Sequence, residues 1–176
     1  MMLLFTEVAG MLLSLNRDTT VFDLRESFSN GTVLFKGDHL RVLEEGVLMA
    51  WVYLFDQERE VHLQVWRPTG HVAEYRLVYS KLVNDAPGIH FLNVTAEHFN
   101  VSHDDLIGIS FPETSPIPLF RTDDCVYYNV EGLMLVRDRV FFRMLQVTQL
   151  DTVTMFYDDD FCVDYFVQAV VRYYGK

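Results

Sequence analysis

Nine apolar residues in a row, Val47-Leu48-Met49-Ala50-Trp51-Val52-Tyr53-Leu54-Phe55, open a run of strand-like segments that reaches Phe111. No other feature constrains the fold as strongly. In Val61-His62-Leu63-Gln64-Val65 apolar and polar residues alternate with period two, the pattern of a strand with one covered and one wet face. Val163, Tyr165, Val167, Ala169 and Val171 repeat that period, with Asp164 and Gln168 on the opposite side. Turn chemistry bounds the segments at Asn30-Gly31, Gly37-Asp38, Glu45-Gly46, Pro68-Thr69-Gly70, 84–88 and Asp158-Asp159-Asp160. The chain therefore reads as all-β, an antiparallel β-sandwich of jelly-roll type. Helix is expected in two places only, a short N-terminal helix and one turn at Thr95-Ala96-Glu97-His98-Phe99. The run 47–55 is apolar on both faces, with Trp51, Tyr53 and Phe55 on one and Leu48, Ala50, Val52 and Leu54 on the other. A sandwich strand with two apolar faces needs a cover on the outside, either the N-terminal residues 1–15 or an interdomain or oligomer contact.

A length of 176 residues supports one sizeable core. Residues 21–174 are read as the sandwich and residues 1–20 as an extension, either a capping segment or a weak signal-like stretch. Met1-Met2-Leu3-Leu4-Phe5 begins like a secretory leader, but Glu7 interrupts it and no Lys or Arg precedes it. Too short to span a bilayer, the stretch implies no membrane insertion by this chain. The net charge of −11, with 25 acidic against 14 basic residues, argues against a nucleic-acid partner and is compatible with a cationic one. Strand-like sequence runs almost to Lys176, which suits one module of a larger multidomain protein.

No catalytic signature is present. There is no Gly-x-Ser-x-Gly elbow, neither cysteine has a histidine beside it in sequence, and the six histidines, His39, His62, His71, His90, His98 and His103, show no metal spacing. No catalytic residue, resident metal or cofactor is assigned. Three acidic clusters, Asp104-Asp105, Asp123-Asp124 and Asp158-Asp159-Asp160, fall in expected loops and read as solvated turns, with Ca²⁺ as the alternative. The sequons at Asn30, Asn93 and Asn100 become glycosylation sites if the chain passes through a secretory lumen. Cys125 and Cys162 permit one intrachain disulfide, whose loop of about 38 residues would contribute about 4 kcal/mol on a chain-entropy argument, against two buried thiols. Trp51 is expected in the core, whereas Trp66 falls in phase with His62 and Gln64 and needs a neighbouring loop or Pro68 to cover it.

Several of these segments together resemble a known module. Gly46 with Trp51 and Tyr53, Leu63-Gln64-Val65-Trp66-Arg67-Pro68, Tyr75-Arg76-Leu77-Val78, Gly88, Asp105-Leu106-Ile107-Gly108-Ile109, Phe111-Pro112 and Tyr165-Phe166-Val167-Gln168-Ala169 are similar to a β-sandwich module of large extracellular and cell-surface proteins of invertebrate animals, one without an assigned activity. The resemblance covers about residues 21–173. It departs at Asp104-Asp105, where such modules carry Gly-Asp. It implies an extracellular or cell-surface location, structural motifs and no enzymatic role. The expected function is a non-enzymatic binding or spacer module that recognises a protein or glycan through loops at the sandwich ends. Two alternatives stand beside it. A carbohydrate-binding jelly roll would expose Trp66, Tyr127 and Tyr128, and an oligomerising tumour-necrosis-factor-like ligand would set the 47–55 strand against a neighbouring subunit.

Overall fold

The computed structural model describes residues 22–23, 30–36, 42, 44–122 and 136–174. Thirteen strands occur among the described residues: β1 Phe22–Asp23, β2 Gly31–Phe35, β3 Gly46–Phe55, β4 Val61–Pro68, β5 Glu74–Val83, β6 Gly88–Asn93, β7 Asn100–Val101, β8 Leu106–Phe111, β9 Phe120–Thr122, β10 Val136–Arg143, β11 Val153–Met155, β12 Tyr157–Tyr165 and β13 Val167–Tyr173. A nine-stranded sheet runs β1-β9-β12-β10-β2-β8-β4-β5-β11, and a smaller one runs β13-β3-β6 with β7 also on β3. All recorded pairings are antiparallel, so the chain is an all-β, sandwich-like protein. The expected turn at Thr95 is a single 3₁₀ turn, Thr95–Glu97. The proposed N-terminal helix and cover, residues 1–15, lie outside the described residues.

The main core lies between the sheets. Trp51, Tyr53 and Phe55 of β3 meet Val33 and Phe35 of β2, Leu63 and Val65 of β4, Ile107 and Ile109 of β8 and Tyr165 of β12. Strict alternation put Leu48 on the face away from Trp51, yet Leu48 is fully buried in this core. The reason is a bulge at Met49: Ala50 pairs with Val170 but Leu48 pairs with Val171, so one extra residue on β3 flips the phase. Between β12 and β13 only Phe166 intervenes, and Val163, Tyr165 and Val167 keep their inward phase across it. One strand-like segment of the sequence thus serves both sheets.

The nine-stranded sheet must be strongly coiled. Met155 ends β11 and Tyr157 begins β12, two residues apart in the chain, yet those strands stand six places apart in the sheet, about 29 Å if it were flat. Coiling encloses a second core on the sheet's other face, built from Leu34, Trp66, Leu77, Leu106, Phe141, Val147 and Phe156. A second bulge makes this possible on β5: Val65 pairs with Tyr79 but Trp66 with Leu77, so Tyr79 enters the main core and Leu77 the second one. Gly108 lies between them. A Cβ there would stand 2.5 Å from Leu34 Cδ2, 2.8 Å from Val33 O and 3.2 Å from Trp66 Cδ1, so its bare backbone lets Leu34 and Trp66 close over β8.

Candidate functional site

The motif residues form scaffold. Trp66 is fully buried, edge-on to Phe156 with ring centroids 5.0 Å apart, so no sugar platform forms there. Its indole Nε1 donates to Gln64 Oε1 at 3.0 Å, and Gln64 Nε2 donates to the carbonyl of Val147 at 2.6 Å. Val147 N–H donates in turn to Thr32 Oγ1 and Ser110 Oγ, both at 3.1 Å, and Thr32 Oγ1 also donates to Leu145 O. The polar face expected of β4 is therefore satisfied by the backbone of 145–147 instead of by water. His62 Nδ1 lies 3.0 Å from Ser80 Oγ at the margin of this lattice. Burial lowers the imidazole's affinity for a proton, with Glu60 acting against it. The unfolded chain then takes up this proton first as pH falls, so stability should be full above about pH 6.5 and decline below it. His62→Gln should flatten the decline in a comparison of denaturant midpoints at pH 5 and pH 8.

Arg67 and Asp105 form the other fixed element. The guanidinium grips the carboxylate with two hydrogen bonds of 2.8 Å, and Asp105 Oδ2 accepts a third from Ser102 N–H at 2.8 Å. The preceding residue, Asp104, has φ +70, a left-handed conformation that glycine adopts most easily and aspartate tolerates. Asp104-Asp105 thus ties the β7–β8 turn to β4 and is not a free acidic cluster. Asp158-Asp159-Asp160, expected in a loop, lies within β12, where Arg139 pairs with Cys162 but Phe141 with Asp158. Extra residues on β12 oppose Val140 and bulge the strand, which accounts for turn-like sequence inside it. Asp158 pairs with Lys36 at 2.8 Å. Asp123 and Asp124 lie outside the described residues. Among the described residues no three acidic, histidine or cysteine side chains converge as a metal site.

At the end of the sandwich where β3 hands over to β4, three connections meet: 56–60, 84–87 and 112–119. Asp56 N–H donates to Pro116 O at 3.0 Å, Gln57 Nε2 to Ser115 O at 3.0 Å, and Arg59 pairs with Glu113. Tyr53 reaches from the core to donate to Asp85 Oδ2 at 2.6 Å; burial first, then this carboxylate, holds its phenol far above the usual range and un-ionised. His90 stacks on Tyr53 and meets Ala86 O at 2.7 Å. Among the described residues, exposed Asp56, Glu58, Glu60 and Glu113, with half-buried Asp85, face a single cation here, Arg59. The result is an acid-rich surface on loops fixed by backbone and side-chain ties. It escaped the sequence reading because these carboxylates are scattered over three connections.

The other expected sites are dispersed. Asn30, Asn93 and Asn100 are all exposed, at the turn before β2, the end of β6 and the start of β7. Cys162 is buried in β12, while Cys125, Tyr127 and Tyr128 lie outside the described residues. His71, His98 and His103 are exposed, and His39 is not among the described residues. The chain defines, by its strands, an antiparallel sandwich-like protein. Compared with family models, curated proteins and solved structures, it matches none.

Proposed function

We propose that this chain is a non-enzymatic extracellular or cell-surface binding module, one unit of a larger multidomain protein, which recognises a protein partner through the acid-rich loops 56–60, 84–87 and 112–119. The observation that carries the reading is the concentration of exposed carboxylates on three adjacent loops, two bonded to each other and the third tied to Tyr53 and His90, while Trp66, Gln64, Arg67 and Asp105 are taken up by the scaffold. Rigid loops on a sandwich keep a binding surface organised before the partner arrives, and carboxylates steer a cationic partner toward it. A basic protein segment is the matching chemistry.

The extracellular part of the proposal draws support from the exposed sequons and from the conformation of Asp104, left-handed where the resembled modules carry glycine. Among the described residues no cysteine is free, which supports a Cys125–Cys162 bridge. Mass spectrometry of the chain secreted from animal cells should find that bridge; free thiols in well-folded material would overturn the extracellular reading.

Binding is tested with a basic surface of known chemistry. Immobilised polylysine should retain the secreted protein at low salt, and Glu58→Lys with Glu60→Lys, both exposed and outside the ties between the loops, should weaken retention several-fold without changing the melting temperature. Equal retention of the charge-reversed protein would sink the acidic-loop reading.

A further inference from the structure

The outer face of the smaller sheet is apolar and open along its flanking strands β6 and β13, while Ala50 and Leu54 of the central strand β3 are buried. Val52 of β3 pairs with Phe91 of β6 on one side and with Gln168 of β13 on the other, Leu54 pairs with Ile89, and Ala50 with both Asn93 and Val170. Paired residues in antiparallel strands point the same way, so these side chains share a face. Phe91 is 68% exposed, Ile89 50% and Val170 40%, while their neighbours Leu92 and Val94 turn inward to the main core. A phenylalanine that open on a sheet calls for a cover.

The sequence supplies one on the same strand. Asn93 is the last residue of β6, on the Phe91 side, and begins the sequon Asn93-Val94-Thr95. Thr95 N–H donates to Asn93 Oδ1 at 2.9 Å and the Thr95 hydroxyl bonds the same oxygen. The amide is thereby held by its carbonyl side, and Nδ2 has no partner among the described residues. Residues two apart on a strand are about 6.7 Å apart, within reach of an asparagine side chain extended by one pyranose ring. The C–H-bearing face of such a sugar is apolar and electropositive, complementary to the face of an aromatic ring.

We infer that Asn93 carries an N-linked glycan whose first N-acetylglucosamine lies on Phe91 and covers the exposed apolar residues of β6. The inference rests on the extracellular reading above and deepens it. In the reaction, Nδ2 of Asn93 attacks C1 of the first sugar of a polyisoprenyl-diphosphate-linked oligosaccharide. The new N–C1 bond replaces the C1–O bond, the diphosphate leaves with the electron pair, and the amide gives up one proton. Nothing is oxidised or reduced.

The chain is secreted from an animal cell line behind a supplied signal peptide, mapped by glycopeptide mass spectrometry, and melted before and after enzymatic removal of N-glycans. Asn93 should be occupied, and deglycosylation should lower the melting temperature by about 2–4 °C. In Phe91→Ala, whose side chain is already exposed, the glycan should remain but its removal should shift melting by less than about 1 °C, under half of the wild-type effect. Asn30→Gln and Asn100→Gln should leave the wild-type shift intact, and Asn93→Gln should abolish it and lengthen retention on a hydrophobic-interaction column. A bare Asn93 beside occupied Asn30 or Asn100, or a shift unchanged in Phe91→Ala, overturns the inference and leaves the extracellular reading standing. Retention of the chain inside the cell, or free thiols in folded secreted protein, overturns that reading and this inference with it.

Discussion

Trp66→Ala should destabilise the protein by about 4 kcal/mol, the range expected for truncating a large aromatic in a core that cannot collapse around the loss. Trp66 is fully buried and is the largest buried side chain of the second core among the described residues, packed with Leu34, Leu77, Leu106, Phe141, Val147 and Phe156 and flanked by Ala73 and Tyr75. Those neighbours sit on strands of one coiled sheet whose pairing fixes their spacing, so the cavity would persist. Truncation also removes the donor to Gln64 Oε1, leaving a buried amide oxygen unpaired. Trp66→Phe separates the two effects. It keeps most of the apolar volume and loses only the indole N–H, so it should cost about 1–2 kcal/mol. Chemical denaturation read by far-ultraviolet circular dichroism gives both values. A cost below about 1 kcal/mol for Trp66→Ala would mean that the second core contributes little to folding.

Period-two alternation made the class of fold legible, because a strand's side chains change face at every residue whatever the topology around it. Bulges were not legible. Met49 on β3 and Val78 on β5 each add one residue and reverse the phase downstream, which is why Leu48 joins Trp51 and why Leu77 and Tyr79 enter different cores. A bulge is set by the partner strand's register, and nothing in either local sequence announces it. Trp66 shows the same limit in another form. Its phase with His62 and Gln64 pointed to a wet face, but the face is wrapped by the coiled sheet and roofed by 145–147, and Gln64 is buried by bonding Val147. Polarity in the sequence indicates a need for hydrogen bonds, which backbone can meet as well as water.

The candidate site was less legible than the fold. Runs of aspartate drew attention to Asp104-Asp105 and Asp158-Asp159-Asp160, yet Asp105 is fully buried against Arg67 and the second run lies in a bulged strand. The acid-rich end is assembled from single residues such as Asp56, Glu60 and Glu113, whose meeting depends on how β3, β4 and β8 are ordered. The sequons are visible as motifs because a three-residue pattern needs no tertiary information, and their asparagines Asn30, Asn93 and Asn100 are exposed. That Asn93 shares a face with Phe91 needed only the strand period, once β6 was placed.

Arg67→Ala should cost about 2–3 kcal/mol, and Asp105→Asn less, although both break the same ion pair. The asymmetry follows from burial: the Asp105 side chain is wholly inaccessible, whereas that of Arg67 is 38% exposed. Removing Arg67 strands a carboxylate that water reaches poorly, with Ser102 N–H as its one remaining partner in this cluster. Solvent already screens the arginine side, so the figure is set below that for a fully buried pair. Removing the charge of Asp105 leaves a guanidinium that can turn to solvent, and an asparagine oxygen can still accept from Ser102 N–H. Arg67→Lys should fall between, because a point-charge ammonium cannot reproduce two parallel 2.8 Å bonds to one carboxylate. Denaturant midpoints for the three variants at low and high salt give the test. Equal costs for Arg67→Ala and Asp105→Asn would show that the pair acts as an ordinary surface bridge, and the β7–β8 turn would then be held by its backbone bonds, Val42 N–H to Asp105 O and Asp104 N–H to Val42 O.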